Sequence, residues 1–336
     1  MKILFICKKN ETYGFSSYTK KSSGLFNSTN FIVTALNATC RNVEAKIVEV
    51  VDGNCLDREI FQFKPDKVVV EALWVTPEKF TELQKLHPKV KFYVHLHSNI
   101  PFLANEGMAI GWIDYYTRQG IAILANSQDS YEAFRAVLPH DMVKYLPNIY
   151  TDDFCEAVDR DNREVMHIGC FGAIRPMKNQ LTQAMAAIRF AHKIKRPLKF
   201  YINSSRIETG GDPVLKNLRN IFVNHPNCEL VECEWFEPDA FVKFMNERLD
   251  IGMQVSMSET FNIVAADYVA AGLPIVVSDE ITWASDFNKV GFDSVNNIVD
   301  KLEFVNNRRM LVKWNQRLLR QHSAKARELW CQFSHS

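Results

Sequence analysis

The fold of this chain is decided by residues 251–277, which read IGMQVSMSETFNIVAADYVAAGLPIVV. The apolar run at 251–255 predicts a β-strand that ends in a polar turn. A helix is predicted to start near Phe261, because the small residues that follow would let it pack closely on a sheet. Gly272 is typical of a helix C-terminus, and the apolar run at 275–277 predicts the next strand. The stretch is therefore a predicted strand–helix–strand unit of a parallel sheet.

The same alternation of short apolar runs and longer amphipathic stretches extends over most of the chain. Further strands are predicted at 3–7, 45–51, 67–71, 90–96, 121–125, 143–146, 165–171, 198–202 and 228–231. Further helices are predicted at 26–36, 77–86, 103–116, 129–137, 178–194, 214–223 and 238–245. Strands that are apolar almost throughout are typical of parallel sheets with helices on both faces. The pattern predicts an α/β protein.

The chain has 336 residues, which exceeds the size at which a single hydrophobic core usually stops growing. A polar, acidic stretch at 151–164 is predicted to link two domains. Residues 1–150 are then an N-terminal Rossmann-like domain, and residues 165–310 are a second one. One or two helices are predicted from Val295 onward, and a C-terminal helix at 311–336 is expected to pack back on the first domain. Two such domains in sequence would face each other across a cleft, where sheets of this kind bind ligands.

Composition narrows the class of protein. The formal net charge is +1, so no overall field favours a nucleic-acid or membrane partner. The eight cysteines include no C-x-x-C pair, which favours buried, reduced thiols. The first apolar run is too short for a signal peptide and no run is long enough to span a bilayer, so a cytoplasmic protein is expected. No G-x-G-x-x-G follows the first strand, which argues against a dehydrogenase.

The helix predicted near Phe261 would present its N-terminus to a ligand. Free N–H groups and the positive end of the helix dipole suit a diphosphate there, beside Thr260, Phe261 and Asn262. Glu259 precedes the helix and Asp267 follows about two turns later, a separation of roughly 12 Å. That is about the reach from a sugar ring, across a pyrophosphate, to a ribose. The two carboxylates are candidates for binding the sugar and the ribose hydroxyls.

A second candidate segment, residues 167–181, reads HIGCFGAIRPMKNQL. A strand runs into a glycine-containing turn, and a helix is predicted from Lys178. A departing nucleoside diphosphate develops negative charge that fixed cations can stabilise. Arg175 and Lys178 are the candidates for that role.

These two segments resemble the family-four group of retaining glycosyltransferases, which have the two-domain GT-B fold. In that family Ser-Glu-Gly-Phe-Gly is followed by a second Glu; Glu259 matches the first Glu and Asp267 stands in place of the second. Lys178 matches the family lysine, whereas the family arginine position holds Ala173 and Arg175 lies two residues later. The resemblance implies transfer from a nucleoside diphosphate sugar with retention, using no metal and no further cofactor.

Two first-domain features extend the resemblance. His95 and His97 lie two positions apart in VHLHSNIP at 94–101, so both are expected on the same face of the strand. His97 lies nearer the strand end, where the family has a histidine that touches the donor sugar. The long loop at 8–25 mixes four lysines with aromatic residues. Its Gly24 is the candidate for the family glycine beside the diphosphate.

The segments SSGLFN and Glu71-Ala-Leu-Trp-Val-Thr-Pro resemble a group of bacteriophage-encoded proteins assigned as glycosyltransferases. Some enzymes of that kind modify hydroxymethylated bases in DNA, which implies a hydroxymethylated pyrimidine as acceptor, a UDP-sugar as the favoured donor and the host cytoplasm as the location. The loop at 8–25 and the basic run at 308–327 would suit a DNA partner.

Other functions stay open on the sequence alone. The acceptor could be a glycan or a small molecule. Asp267 and Ala173 at altered family positions would also fit a nucleotide-sugar-binding protein that has lost turnover. A sugar-phosphate epimerase on the related two-domain fold is a third class. The sequence leaves the sugar, the base of the donor and the oligomeric state undetermined.

Overall fold

The computed structural model describes residues 1–9, 24–157, 163–208, 210–306 and 308–336. The chain forms two compact units, one of Met1–Tyr150 with His322–Ser336 and one of Thr151–Gln321. Each unit contains a parallel sheet with helices, so the predicted α/β class is confirmed. Part of the proposed linker, residues 158–162, lies outside the described residues.

The first unit is built on a six-stranded sheet with the order β2-β1-β3-β4-β5-β6. Its strands are β1 (Lys2–Lys8), β2 (Glu44–Val50), β3 (Lys67–Glu71), β4 (Lys91–Leu96), β5 (Ala122–Ala125) and β6 (Val143–Tyr145). Its helices are α1 (Gly24–Thr39), α2 (Cys55–Phe63), α3 (Pro77–Leu86), α4 (Ile100–Leu103), α5 (Ala109–Arg118) and α6 (Gln128–Val137). β1 and β3 are buried almost throughout, because helices cover both faces of the sheet.

The second unit is built on a five-stranded sheet with the order β11-β10-β7-β8-β9. Its strands are β7 (Met166–Gly169), β8 (Leu198–Asn203), β9 (Cys228–Cys233), β10 (Ile251–Gln254) and β11 (Ile275–Val277). Its helices are α7 (Gln180–Ile194), α8 (Gly211–Val223), α9 (Pro238–Arg248), α10 (Ile263–Ala270) and α11 (Val295–Asn306). The last helix, α12 (Met310–His335), begins in this unit and ends in the first one.

The end of α12 contributes to the core of the first unit. Trp330 is fully buried against Phe5, with ring centroids 5.6 Å apart, and its indole N–H donates to the Pro147 carbonyl at 2.9 Å. A disulfide joins Cys331 of α12 to Cys40 at the end of α1, with a Cα–Cα distance of 5.8 Å. The expectation of reduced thiols is therefore wrong for this pair. The other six cysteines are free thiols.

The helices differ from prediction in three places. The helix predicted at 103–116 is two helices, α4 and α5, separated by a segment that contains Asn105 and Gly107. Helix α2 has no counterpart among the predictions. Helix α10 starts at Ile263 rather than near Phe261, because Asn262 takes the N-cap position.

Across the described ranges, none of the helices has both the length and the apolar character required to cross a bilayer. The lysine- and aromatic-containing loop predicted at 8–25 falls mostly on residues 10–23, which lie outside the described residues.

Candidate functional site

The turn that carries Lys178 follows directly from β7. Gly172 has a φ of 110°, a conformation that L side chains rarely adopt, so glycine is needed where the chain leaves the strand. A single 3-10 turn, Pro176–Lys178, then leads to Asn179 at a φ of 55° and into α7. The Asn179 amide donates to the Val255 carbonyl at 3.1 Å and to the Phe292 carbonyl at 2.9 Å. These bonds fix the Lys178 turn against the end of β10.

The segment after β10 brings Glu259 to Lys178. The Met257 N–H donates to the Met177 carbonyl at 2.9 Å, which aligns the two loops. Lys178 Nζ then donates to Glu259 Oε1 at 2.5 Å, and the side chains are only 13% and 8% exposed. The structure therefore brings together two of the three predicted catalytic residues, although they are 81 positions apart. Each charge balances the other at a poorly solvated position.

Two arginines and a glutamate lie beside this pair. Glu208 accepts from Arg175 at 2.8 Å and from Arg206 at 2.8 Å. Burial acts to raise the pKa of Glu208, but Arg175, Arg206 and Lys178 together lower it. Arg175 is thus part of a cationic group around one carboxylate. Arg206 was not anticipated, because nothing near residue 206 resembles a motif.

The loop between β10 and α10 explains why asparagine stands at position 262. Asn262 has a φ of 56°, which glycine favours and asparagine tolerates better than most other residues. Its side chain accepts from the Ala265 N–H at 2.9 Å and donates to Gln254 Oε1 at 2.9 Å. Phe261 is 2% exposed, so its side chain belongs to the core. Thr260 and Asp267 are partly exposed, so of the four predicted donor-binding residues here these two side chains are the more accessible.

Three serine hydroxyls near these strand ends lack a partner. Ser256 and Ser258 lie in the loop after β10, and Ser278 follows β11. All three are buried, and within the described ranges their Oγ atoms make no hydrogen bond. Buried polar atoms are normally satisfied. A ligand group or ordered water at this end of the sheet would satisfy them.

In the first unit, His97 belongs to a cluster that the sequence predicted only in part. Glu71 is the last residue of β3, and the strand register places it opposite His95 of β4. Glu71 Oε2 lies 3.0 Å from His95 Nδ1 and 2.5 Å from His97 Nε2. His95 Nε2 lies 3.0 Å from the Leu146 carbonyl oxygen. We call Glu71, His95 and His97 the Glu71 cluster; the role of Glu71 in it was missed.

The electrostatics of the Glu71 cluster favour an ionised carboxylate. Burial acts to raise the pKa of Glu71, but His95 and His97, through charge and hydrogen bonds, lower it to about 2. Burial and the nearby His95 lower the pKa of His97, while Glu71 acts in the opposite direction.

The Glu71 cluster also has the residue types of a metal site. Among the described residues, its three potential ligand atoms all lie within 4.8 Å of one another. The 2.5 Å between Glu71 and His97 is a hydrogen-bond length. Two ligands that each lie about 2.0–2.2 Å from a tetrahedral zinc ion are separated by more than roughly 3 Å. The geometry therefore fits hydrogen bonding better than shared coordination.

The predicted site residues divide between the two units. Gly24, the first residue of α1, and His97 lie in the first unit. The other predicted residues lie in the second unit: Lys178, Arg175, Glu259, Thr260, Phe261, Asn262 and Asp267.

The chain was compared with known proteins. No family model matches the sequence, and no curated protein matches it. Among solved structures, a trehalose-6-phosphate structure from E. coli bound with UDP-2-fluoro glucose is similar, with a TM-score of 0.69 and 11% identity, over 98% of this chain and 97% of that one. The UDP-forming alpha,alpha-trehalose-phosphate synthase of Burkholderia vietnamiensis is similar with a TM-score of 0.69 and 10% identity, over 99% and 96%.

A third structure is similar over a smaller share of its own length. It is a point mutant of TarM from S. aureus, in complex with Fondaparinux, alpha-GlcNAc-glycerol and UDP. The TM-score is 0.62 and the identity 12%, over 83% of this chain and 58% of that one. These proteins are glycosyltransferases of the GT-B class, so the GT-B fold predicted for this chain is confirmed. At this level of identity the likeness concerns the fold.

Proposed function

We propose that this protein is a glycosyltransferase that moves a sugar from a nucleoside diphosphate sugar to a hydroxyl acceptor. The observation that carries the proposal is the Lys178–Glu259 pair, at 2.5 Å and shielded from solvent, at the strand ends of a GT-B unit. A UDP-sugar is the favoured donor, because the similar structures include a UDP-forming enzyme and complexes with UDP or a UDP-sugar.

The proposed roles follow the charges. Lys178, assisted by Arg175, stabilises the negative charge that develops on the leaving diphosphate. Glu259 accepts hydrogen bonds from sugar hydroxyls and Asp267 from the ribose, while His97 contacts the donor sugar. The loop residues Thr260, Phe261 and Asn262, together with Gly24, border the diphosphate.

Donor binding would exchange the partners of the charged side chains in the site. Lys178 and Glu259 neutralise each other, and Arg175 is bound to Glu208. A bound diphosphate would replace the carboxylates that pair with Lys178 and Arg175, and sugar hydroxyls would replace Lys178 as the partner of Glu259. Each of these three side chains would then keep a polar partner when the donor binds. The fixed cations supply the stabilising charge, and the proposed reaction uses no metal.

The proposed transfer retains the anomeric configuration. The bond between the anomeric carbon and the phosphate oxygen breaks, and the acceptor oxygen bonds to the same face of that carbon. The acceptor proton passes to the leaving phosphate oxygen, so no protein nucleophile is required. NMR of the product determines the outcome, since an inverted anomeric centre would exclude this mechanism.

For the acceptor we propose a hydroxymethylated pyrimidine in DNA. Residues 308–327 carry seven Lys and Arg side chains and no Asp or Glu, although the whole chain has 40 basic and 39 acidic residues. Lys313, Arg317 and Arg320 are exposed on α12, and none of them forms an ion pair within the described part of the chain. Such a concentration of cations is complementary to a phosphate backbone.

The test is nucleoside diphosphate release from a panel of UDP-, GDP- and ADP-sugars. Each donor is incubated with no acceptor, with unmodified DNA and with hydroxymethylcytosine DNA, and the DNA nucleosides are weighed by mass spectrometry. We expect release with a UDP-sugar that depends on hydroxymethylated DNA, and a mass gain of one sugar. Release without DNA dependence would keep the transferase and exclude this acceptor. Donor binding without release would instead indicate an inactive binding protein.

A further inference from the structure

The Glu71 cluster contains a charged group that the proposed mechanism does not use. The Glu71 side chain is completely buried at the end of a strand that reads Lys-Val-Val-Val-Glu. Keeping a carboxylate there costs solvation that an apolar residue would not lose. Its Oε2 atom lies within hydrogen-bond distance of two imidazoles, those of His95 and His97. One buried carboxylate oxygen therefore holds both rings of the cluster.

The protons in the cluster can be placed by donor and acceptor type. The Leu146 carbonyl only accepts, so His95 Nε2, at 3.0 Å, carries a proton. An ionised Glu71 also only accepts, so His95 Nδ1 and His97 Nε2 carry protons as well. His95 then has a proton on both ring nitrogens and is an imidazolium paired with Glu71. A neutral His97 is then the Nε2–H tautomer, with the basic lone pair on Nδ1. This assignment depends on the position of one carboxylate oxygen.

Only one member of the cluster reaches the surface. The side chains of Glu71 and His95 have no exposed area, whereas that of His97 is 16% exposed. Glu71 cannot meet a bound substrate in this arrangement, but it holds the ring of the residue that can.

We propose that Glu71 is a positioning residue that fixes the ring orientation and the Nε2–H tautomer of His97. The role in transfer rests on the proposed function, in which His97 contacts the donor sugar. His95 helps to hold Glu71 in place, because it is hydrogen-bonded to the same Glu71 oxygen and also to the Leu146 carbonyl. A buried hydrogen bond partner selects which imidazole nitrogen faces the ligand.

The tautomer is measured without any donor, by long-range ¹H–¹⁵N NMR of the histidine rings in the full chain. His95→Gln and His97→Gln spectra assign the signals. We expect the Nε2–H form for His97 in the wild type and a mixture of tautomers in Glu71→Gln. A wild-type His97 in the Nδ1–H form overturns the proposal, whether or not the variants fold.

The kinetic test uses the donor that supports nucleoside diphosphate release. We expect Glu71→Gln to lower kcat about 10- to 100-fold, the range found when the carboxylate that orients a metal-ligating imidazole is removed. Glu71→Asp, which keeps the charge, should recover part of the loss. Glu49→Gln is the matched control, because Glu49 is an exposed carboxylate near the end of β2, in the same sheet as β3.

The combined variant separates positioning from a purely structural role. If Glu71 acts through His97, Glu71→Gln with His97→Gln should be no slower than His97→Gln alone. Losses that multiply contradict the proposal. If no donor is turned over by the wild type, the proposed function fails, while the NMR result still decides the tautomer.

Discussion

At the residue scale, the strongest constraint on function is the pairing of Lys178 with Glu259. Both side chains are largely shielded, and the hydrogen bond between them is 2.5 Å. Few structural roles need a buried ion pair between two loops, because apolar residues of similar volume stabilise a fold as well or better. The pair therefore gives a direct test of the proposed donor site.

Lys178→Gln should lower kcat/KM for nucleoside diphosphate release about 100- to 1,000-fold, the usual effect of removing one stabilising group from a developing oxyanion. Glu259→Gln should also reduce nucleoside diphosphate release, because an amide oxygen accepts hydrogen bonds from sugar hydroxyls more weakly than a carboxylate does. The control is Lys193→Gln, which breaks the exposed Lys193–Glu303 pair of 2.7 Å in the same unit. Equal activity of Lys178→Gln and Lys193→Gln would exclude Lys178 from the site.

Gly252 is a second residue whose identity is set by physical contact. A Cβ at this position of β10 would lie 2.3 Å from the ring of Tyr268, a fully buried residue of α10. Gly252→Ala should therefore destabilise the second unit by about 1–3 kcal/mol. Urea unfolding followed by circular dichroism measures the difference.

The matched control for that substitution is Gly111→Ala. Gly111 is exposed in α5 and nothing lies within 4 Å of its added Cβ. Alanine there should stabilise the chain by roughly 0.5–1 kcal/mol, since glycine is unfavourable inside a helix. Similar destabilisation in both variants would mean that the close approach of α10 to β10 is not what requires glycine at position 252.

At the scale of elements, strands were predicted better than helices. The predicted bounds of β3 and β11 match the structure, because an uninterrupted apolar run has few alternatives in a parallel sheet. Helix α2, with the sequence CLDREIFQF, was missed because it is short and buries only Leu56 and Ile60. Helices α4 and α5 were merged, because their apolar residues continue the same spacing across the break.

The disulfide between α1 and α12 was also beyond sequence reasoning, because Cys40 and Cys331 are 291 positions apart. Cross-linking such distant residues restricts the unfolded chain, typically stabilising the fold by about 2–4 kcal/mol. Cys331→Ser should reduce the free energy of unfolding by a similar amount under non-reducing conditions. The thiol count of the denatured, unreduced wild type should be six.

Cys55→Ser serves as the comparison, since Cys55 is a free, partly exposed thiol. It should leave the free energy of unfolding nearly unchanged. A wild-type protein with eight titratable thiols, or one equally stable with and without reductant, would show that the cross-link does not form in solution.

At the scale of the whole molecule, the candidate site could be predicted as a list of residues but not as a set of contacts. The motif spacing identified Lys178, Glu259 and His97 one at a time. The pairing of Lys178 with Glu259 depends on the order of strands β10 and β7 in the sheet, and that order is not local in sequence. Glu71 was passed over for the same reason, since its partners His95 and His97 come from the next strand and the loop after it. The available signal was a carboxylate at the end of an otherwise apolar strand.

The stability of each unit should depend on pH through histidines whose pKa is lowered, among them His322 and His167. Burial lowers the pKa of His322 in the first unit to about 4, with Lys325 adding to the effect and the Asn148 carbonyl opposing it. Burial, with Arg163 and Lys199 as lesser causes, lowers the pKa of His167 in the second unit to about 4. The unfolded chain binds protons at its ordinary histidine pKa of about 6.5, whereas the folded chain does not. The contribution of each histidine to the free energy of unfolding is therefore complete above about pH 6.5 and is lost as the pH falls towards 4.

The expected slope is at most about 1.4 kcal/mol per pH unit for each histidine. Urea unfolding between about pH 7 and pH 5 measures it, in a range where most carboxylates stay ionised. His322→Gln should flatten the dependence for the first unit, because glutamine cannot take up the proton on unfolding. His335→Gln, which changes an exposed histidine of the same helix, should leave the slope unaltered. If both variants keep the wild-type slope, the acid sensitivity of the first unit arises from groups other than His322.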